Sequence, residues 1–560
     1  MENRKPTAKR IIKLNELPPS RYSDLILQSR EFKTFLDSFY AAEGHDEDGT
    51  LEDFGFLNGD GLVSFADGVL RRDALLLARL SALPNERRLV LLRLIDAVYD
   101  FWRRSERYVF YINKGDVADI TPREFTQKCT DFATLVQGLY RDVYEGVLGH
   151  GQTIYRNIPA GGNAGMLYRY SHVDLPAELS FLNACPLMES VVIFPPFICA
   201  TRQNKRVGYF AEKNVRLRAA DIDSANMSGV MIRIGAKRGL VYIDKEYQGF
   251  LVAIGNLFQL DSRVGAEYGK PDFVLVFGAL NAEDESYYYR DGSFLVGVCP
   301  KKANVDYFGY VKKMILTLYN LLTIDEGKLP IHGAGVELHF RDGRVRNIVI
   351  LGDSGAGKSE TLEALRTLAG DYIDKMVTIF DDMGTLSLAG GKVYATGTET
   401  GAFVRLDDLE KGYSLRSLDR SVFLNIDVPN SRVVLPAETF ATASTPHRLD
   451  MFLLADNFTD TMKGIGFYDD IAQAQAAFAK AERMAVGTTS ESGIVSTFLG
   501  NPFGPQQERE KVMGYLANYF QTMAHNNTPV GRLYTRLAIA GAEGPLTGAR
   551  ILLETVRNMK

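Results

Sequence analysis

The stretch Val345-Arg-Asn-Ile-Val-Ile-Leu351-Gly-Asp-Ser-Gly-Ala-Gly-Lys-Ser359 decides how this chain is read. Its first half is a near-continuous apolar run, the pattern of a strand buried on both faces. Its second half fits GxxxxGK[ST], in which glycines let consecutive backbone N–H groups turn into one concavity and the next helix N-terminus completes a phosphate cradle. Residues 359–369 read as that helix, with Gly370 as its C-cap. The loop of Gly352, Asp353, Ser354, Gly355, Ala356, Gly357, Lys358 and Ser359 is therefore expected to bind ATP or another nucleoside triphosphate. Lys358 would reach the β/γ-phosphates and Ser359 would coordinate Mg²⁺. A second apolar run at 376–380 is expected to be a strand ending in Asp381-Asp382, where a carboxylate can hold metal near the γ-phosphate. Neighbouring strand residues face opposite sides, so the two aspartates should hold different partners. No Asn-Lys-x-Asp segment follows, which argues against a switch GTPase.

Outward from this centre, 560 residues exceed what one core fills, so several domains are expected. Hydrophobic residues at 46% and charged residues at 24% are globular values that exclude extensive disorder. A net charge of −5 supplies no global basic field, so small anionic ligands are expected rather than nucleic acid or a membrane surface. Residues 1–10 are basic but are followed by Ile-Ile-Lys-Leu-Asn, which does not read as a signal peptide, and no apolar run is long enough to span a bilayer. Four dispersed cysteines without a CxxC pair read as reduced thiols, and the expected compartment is the cytoplasm. Helical spacing at 88–102 and 125–148 predicts a helical region over 1–150, whose acidic stretch 45–53 lacks the offsets of a calcium loop. Short β-type runs at 191–194, 239–243, 273–277 and 293–298 predict an α/β lobe over 151–325, closing with a helix at 306–323. Residues 326–560 form the expected nucleotide- and metal-binding lobe, with further strands at 422–426 and 451–454 and a polar, glycine-rich segment at 487–505.

Taken alone, His332 or the pair Lys312-Lys313 would read as packing and solvated charge. Their order along the chain changes that reading. Lys270-Pro-Asp-Phe273, Tyr307, Lys312-Lys313, His332, the glycine loop, Asp381-Asp382, Glu399-Thr-Gly401 and Asn430-Ser-Arg432 follow one another as the landmarks of the phosphoenolpyruvate carboxykinase family do, and the chain most resembles the family's ATP-using branch. The match is strongest over 270–440. The resemblance implies an α/β, two-lobed carboxykinase-like P-loop fold, here with the additional helical N-terminal region. It implies that Lys313 as a neutral amine, His332 and Asp382 ligate Mn²⁺, with Ser359 on Mg²⁺. It further implies that Lys312, Lys358, Asp381 and Arg432 are catalytic, that Arg432 contacts the γ-phosphate, and that Arg202, Tyr307 and Ser354 face the substrate. The implied reaction converts oxaloacetate and ATP to phosphoenolpyruvate, CO₂ and ADP, the enolate oxygen left by decarboxylation attacking the γ-phosphate in line.

The sequence departs from the family where its Asp-Asp-Glu-His-Gly-Trp is Asp381-Asp-Met-Gly-Thr-Leu386, and its substrate arginine corresponds to Arg202 in Thr201-Arg-Gln-Asn-Lys205. Two other functions are compatible with the loop. One is a kinase with the same apparatus that phosphorylates another small-molecule or protein hydroxyl, with Asp381 as general base. The other is a non-catalytic nucleotide sensor signalling to a protein partner through the N-terminal region.

Overall fold

The computed structural model describes the chain apart from residues 1–8, 16–25, 28, 44–49, 56–57, 152–159, 206–209, 262–267, 281–284, 369, 371, 407–417, 429, 461–463, 487–491, 543 and 560. Much of the acidic stretch 45–53 and the first part of 487–505 thus lie outside the described residues. The fold is mixed α/β and divides into two compact units, Met1–Tyr170 with Pro186–Ala200, and Ser171–Cys185 with Thr201–Lys560.

The first unit is built on the helices Arg30–Glu43, Gly59–Leu70, Ala74–Ser81, Asn85–Arg104 and Pro122–Leu148. The last of these opens on a capping box between Thr121 and Glu124 and closes at Gly149, whose φ of 88° suits a left-handed C-cap. The expected helical region also contains strands. Lys9–Lys13 and Ala164–Arg169 both run parallel to Glu106–Asn113, and Leu187–Ile193 is antiparallel to Ala164–Arg169. Helical periodicity could not reveal Glu106–Asn113, whose aromatic and β-branched centre Tyr-Val-Phe-Tyr-Ile is set between two long helices. The core draws on both layers, with Phe35, Phe39, Leu91 and Phe125 from helices and Val109 and Leu167 from strands.

The second unit holds an eight-stranded mixed sheet in the order His447–Arg448, Lys392–Gly397, Ile373–Ala389, Leu329–Phe340, Val345–Leu351, Met451–Asp456, Val530–Tyr534 and Gly464–Phe467. Val345–Leu351 is parallel to Met451–Asp456 and antiparallel to Leu329–Phe340. Its unbroken apolar run has a physical cause, because both faces are covered. Val349 and Leu351 pack in one core with Phe452, Phe478 and Phe520, while Ile348 and Ile350 pack in another with Leu362, Leu365 and Leu552. Helices Ile471–Lys480 and Arg509–His525 supply the first cover, Lys358–Leu368 and Pro545–Asn558 the second. A further sheet places Lys237–Asp244, Phe273–Ala279 and Phe294–Pro300 side by side in parallel, and a small antiparallel sheet joins Gly401–Arg405, Arg432–Pro436 and Val422–Leu424. The helix Phe308–Asp325 is apolar around almost its whole circumference and is buried accordingly. Among the described residues no helix is long and apolar enough to cross a membrane, and all four cysteines are buried thiols outside any disulfide.

One expected boundary is corrected. The strand does not end at Asp381-Asp382 but runs through it from Ile373 to Ala389. Pairing with Leu329–Phe340 continues on both sides of the aspartates, with Gly333 opposite Asp382, after a bulge in which Val336 faces Thr378 and Gly335 faces Phe380. Charged residues normally close a strand, and these are kept inside one because cations surround them.

Candidate functional site

Four elements of the second unit bring the site together: the helix Phe308–Asp325, the strands Leu329–Phe340 and Ile373–Ala389, and the glycine loop. Asp382 is the point of convergence. Its Oδ2 accepts from Lys312 Nζ at 2.5 Å and Lys313 Nζ at 2.7 Å, and its Oδ1 lies 2.7 Å from His332 Nε2. Adjacent helix residues do not normally share a partner. Lys312 and Lys313 do so because Asp382 sits beside the helix with its backbone at φ 131°, outside the regions that L side chains ordinarily adopt. Strain of this kind collects at functional sites.

Lys312 is wholly buried and bridges two acids, with Glu399 Oε1 2.7 Å away on its other side. Burial alone would lower its amine, but the charges of Asp382 and Glu399 outweigh burial and hold it above the ordinary lysine value. Lys313 goes the other way. Burial lowers it, and the charge of Lys312 helps hold it down against the pull of Asp382. Asp382 lies well below the carboxylate range, since Lys312, Lys313 and His332 overcome the effect of burial, while burial raises Glu399. His332 Nδ1 is 2.9 Å from the Gly500 carbonyl. A carbonyl only accepts, so Nδ1–H donates there and Nε2 is the nitrogen left for Asp382 or a metal.

Among the described residues no group of three or more His, Cys, Asp or Glu is arranged to hold a metal ion. The expected set differs in using an amine. An imidazole nitrogen, a carboxylate oxygen and a lysine displaced toward its neutral form converge here, and this donor set suits a divalent ion such as Mn²⁺.

The glycine loop lies against the same strand. Gly355 and Gly357 have φ of 79° and 92°, and a Cβ on Gly357 would stand 2.6 Å from Thr535, so the loop can turn only with glycine there. Thr535 Oγ1 and Asn457 Nδ2 donate to the carbonyls of Ala356 and Gly355. Lys358 Nζ donates to the Asp353 carbonyl at 2.9 Å, and Ser359 Oγ donates to Asp381 Oδ1 at 2.8 Å. The two aspartates therefore hold different partners, as alternation along a strand requires. Burial raises the Asp381 carboxyl despite the bond from Ser359 and the charge of Lys358. Asp353 joins the loop to the Asp382 cluster, with Oδ1 3.4 Å from His332 Nδ1 and Oδ2 taking hydrogen bonds from Arg483 and Thr497. Ser354 is exposed, its amide donating to the Asp353 carboxylate.

Arg432, Lys312 and Tyr307 gather around Phe403. The ring lies 5.6 Å from the Arg432 guanidinium, 5.4 Å from Lys312 Nζ and 6.2 Å from the Tyr307 ring. Arg432 bonds Asn430 Oδ1 at 2.8 Å, while its buried Nε has no hydrogen-bond partner among the described residues. Burial raises the Tyr307 hydroxyl, against the opposing charge of Arg432. Arg202 stands apart from the Asp382 cluster, its Nε donating to Asp306 Oδ2 at 2.8 Å and its other arm to Glu246. Its segment is nevertheless tied to this region, since Asn430 Nδ2 donates to the Asn204 carbonyl. Sequence reasoning missed the roles of Phe403, Gly500 and Arg483, and it quoted Glu399 without a partner. Only Glu399 carried a signal, as a carboxylate in a landmark of the resemblance.

No protein-family model matches the chain, and no curated protein matches it.

Proposed function

We propose that this protein is a nucleotide-dependent phosphotransferase with a carboxykinase-like P-loop fold, converting oxaloacetate and ATP to phosphoenolpyruvate, CO₂ and ADP in the cytoplasm. The observation that carries the reading is the convergence of Lys313, His332 and Asp382 within hydrogen-bond distance beside the loop at 352–359. A P-loop alone would need no such cluster. Lys313, His332 and Asp382 would hold Mn²⁺, and Ser359 with Asp381 would hold Mg²⁺. When bound, the metals supply charge stabilisation at oxygen.

The chain's own residues account for the rest. Amides of the glycine loop and Lys358 would hold the β/γ-phosphates. Lys312, fixed as a cation between Asp382 and Glu399, and Arg432 stand where negative charge builds up as the C–C bond to the departing CO₂ breaks. The enolate oxygen then forms its bond to the γ-phosphorus while the bridging oxygen leaves with ADP. The unpartnered Nε of Arg432 supports a role in binding an anionic oxygen. Phe403 and the buried Tyr307 keep water from the enolate.

A second reading rests on Arg202, whose guanidinium is already engaged by Asp306 and Glu246. If it does not receive a substrate carboxylate, the same apparatus phosphorylates a hydroxyl, with Asp381, raised by burial, as base. Purified protein with ATP, Mn²⁺ and Mg²⁺ tests both. Phosphoenolpyruvate formed only with oxaloacetate supports the first, and ADP formed only with a sugar, inositol or protein hydroxyl supports the second. Absence of both products would leave the nucleotide sensor.

A further inference from the structure

Helices of the first unit and the strand Lys9–Lys13 line a half-open cavity of about 560 Å³, within the ~300–1,000 Å³ usual for small-molecule sites. Most of its wall is apolar, with Phe35, Leu62, Ile95, Val98, Leu139 and Val143, and its charged lining is mainly cationic, Lys9, Lys13 and Arg30 against Glu31. Into this lining the strand Lys9–Lys13 turns Arg10, on the same face as the buried Ile12. Arg10 Nε donates to Ser105 Oγ at 3.1 Å, and its guanidinium carbon lies 4.7 Å from the Phe35 ring centroid. Its Nη2 is buried without a hydrogen-bond partner, and among the described residues Arg10 makes no ion pair. Nearby Arg107 shows how this unit treats a buried guanidinium that has no ligand to meet, since it donates to the carbonyls of Trp102, Arg103, Ser105 and Gly161. Arg10 has no such set. A guanidinium on this wall whose only hydrogen bond among the described residues is to a neutral hydroxyl keeps its charge uncompensated, and a carboxylate would both accept from it and neutralise it.

We propose that this cavity is a binding site for an amphipathic carboxylate, its acyl-type tail among the apolar walls and its head group on Arg10. The planar fork suits a carboxylate in a way that a single-point cation does not. The stacked rings of Tyr99 and Tyr140, 4.0 Å apart, form part of the wall and fix its width. The site is independent of the phosphoryl-transfer reading.

Trp102 is the chain's only tryptophan and lines the cavity, so the full-length protein reports on its own ligand. Titration with dodecanoate below its micelle concentration should change Trp102 emission saturably at equimolar ligand, and dodecanol should bind about tenfold more weakly. Arg10→Gln should bring the two ligands to equal affinity, and Val98→Phe, which fills the cavity, should weaken both. Equal affinity of acid and alcohol in the unaltered chain would overturn the proposal without recourse to any variant. So would the absence of a saturable change, or an acid preference that survives Arg10→Gln.

Discussion

Asp382 holds two lysines and a histidine from one carboxylate, and each of the four groups is out of water to a degree that makes its partners indispensable. Asp382→Asn would leave Lys312 and Lys313 sharing only Glu399 among nearby acids. Loss of one member of a buried ion pair costs about 3–5 kcal/mol, so urea denaturation should show destabilisation of that order, and a change within error would mean that the cluster is solvated. Lys358 tests the other half of the site. Lys358→Ala should abolish nucleotide turnover while changing the denaturation midpoint little, because among the described residues its amine donates to a backbone carbonyl, that of Asp353, and makes no ion pair. Unimpaired turnover would remove the loop from the mechanism.

At the scale of elements, the strand Val345–Leu351 and its glycine loop were legible because one local pattern specifies both. The run is apolar at every position from Ile348, and Gly355 and Gly357 stand where φ is positive. Gly357→Ala should cost about 1–3 kcal/mol in backbone strain and weaken ATP binding further by pushing Thr535 from the loop; unchanged affinity in a nucleotide titration would contradict this geometry. The continuation of the neighbouring strand through Asp381-Asp382 was not legible. Its cause is Lys312 and Lys313 on a helix some 70 residues earlier, and no local pattern carries a contact of that range. Glu337 is another such case, accepting from His339 of its own strand at 2.6 Å and from His447, 110 residues later on a second strand, at 2.9 Å. Burial would raise Glu337, but the two histidine bonds outweigh it and hold it below the ordinary glutamate value. The unfolded chain therefore takes up this proton first as pH falls. The contribution of Glu337 is present above the ordinary value and lost as pH drops through the lower, folded one. Glu337→Gln should thus lower the Tm at neutral pH, and the difference should shrink below about pH 4.3. A difference that is independent of pH would contradict the pairing.

Over the whole molecule, each unit has its own core, and only the second contains the phosphate and metal residues. Lys312, Lys313, His332 and Asp382, named among the landmarks of the resemblance, lie together, while Arg202 pairs with Asp306 and Glu246 instead, and Phe403 and Gly500 entered through packing that no spacing announces. The cysteines report on the cores of both units. Burial pushes Cys129, Cys185 and Cys299 up to about 12, so a thiol reagent at mildly alkaline pH should label these three only after denaturation; rapid labelling of the native chain would contradict those cores. The central claim, that Lys313, His332 and Asp382 form a metal site distinct from the nucleotide loop, is tested most directly by Mn²⁺ binding followed by electron paramagnetic resonance, with ATP binding measured in parallel. Affinity for Mn²⁺ should rise with pH as Lys313, lowered by burial, releases its proton, and His332→Ala should weaken it at least about tenfold while ATP still binds. Mn²⁺ affinity that is unchanged in His332→Ala, or that falls together with ATP affinity, would contradict the account.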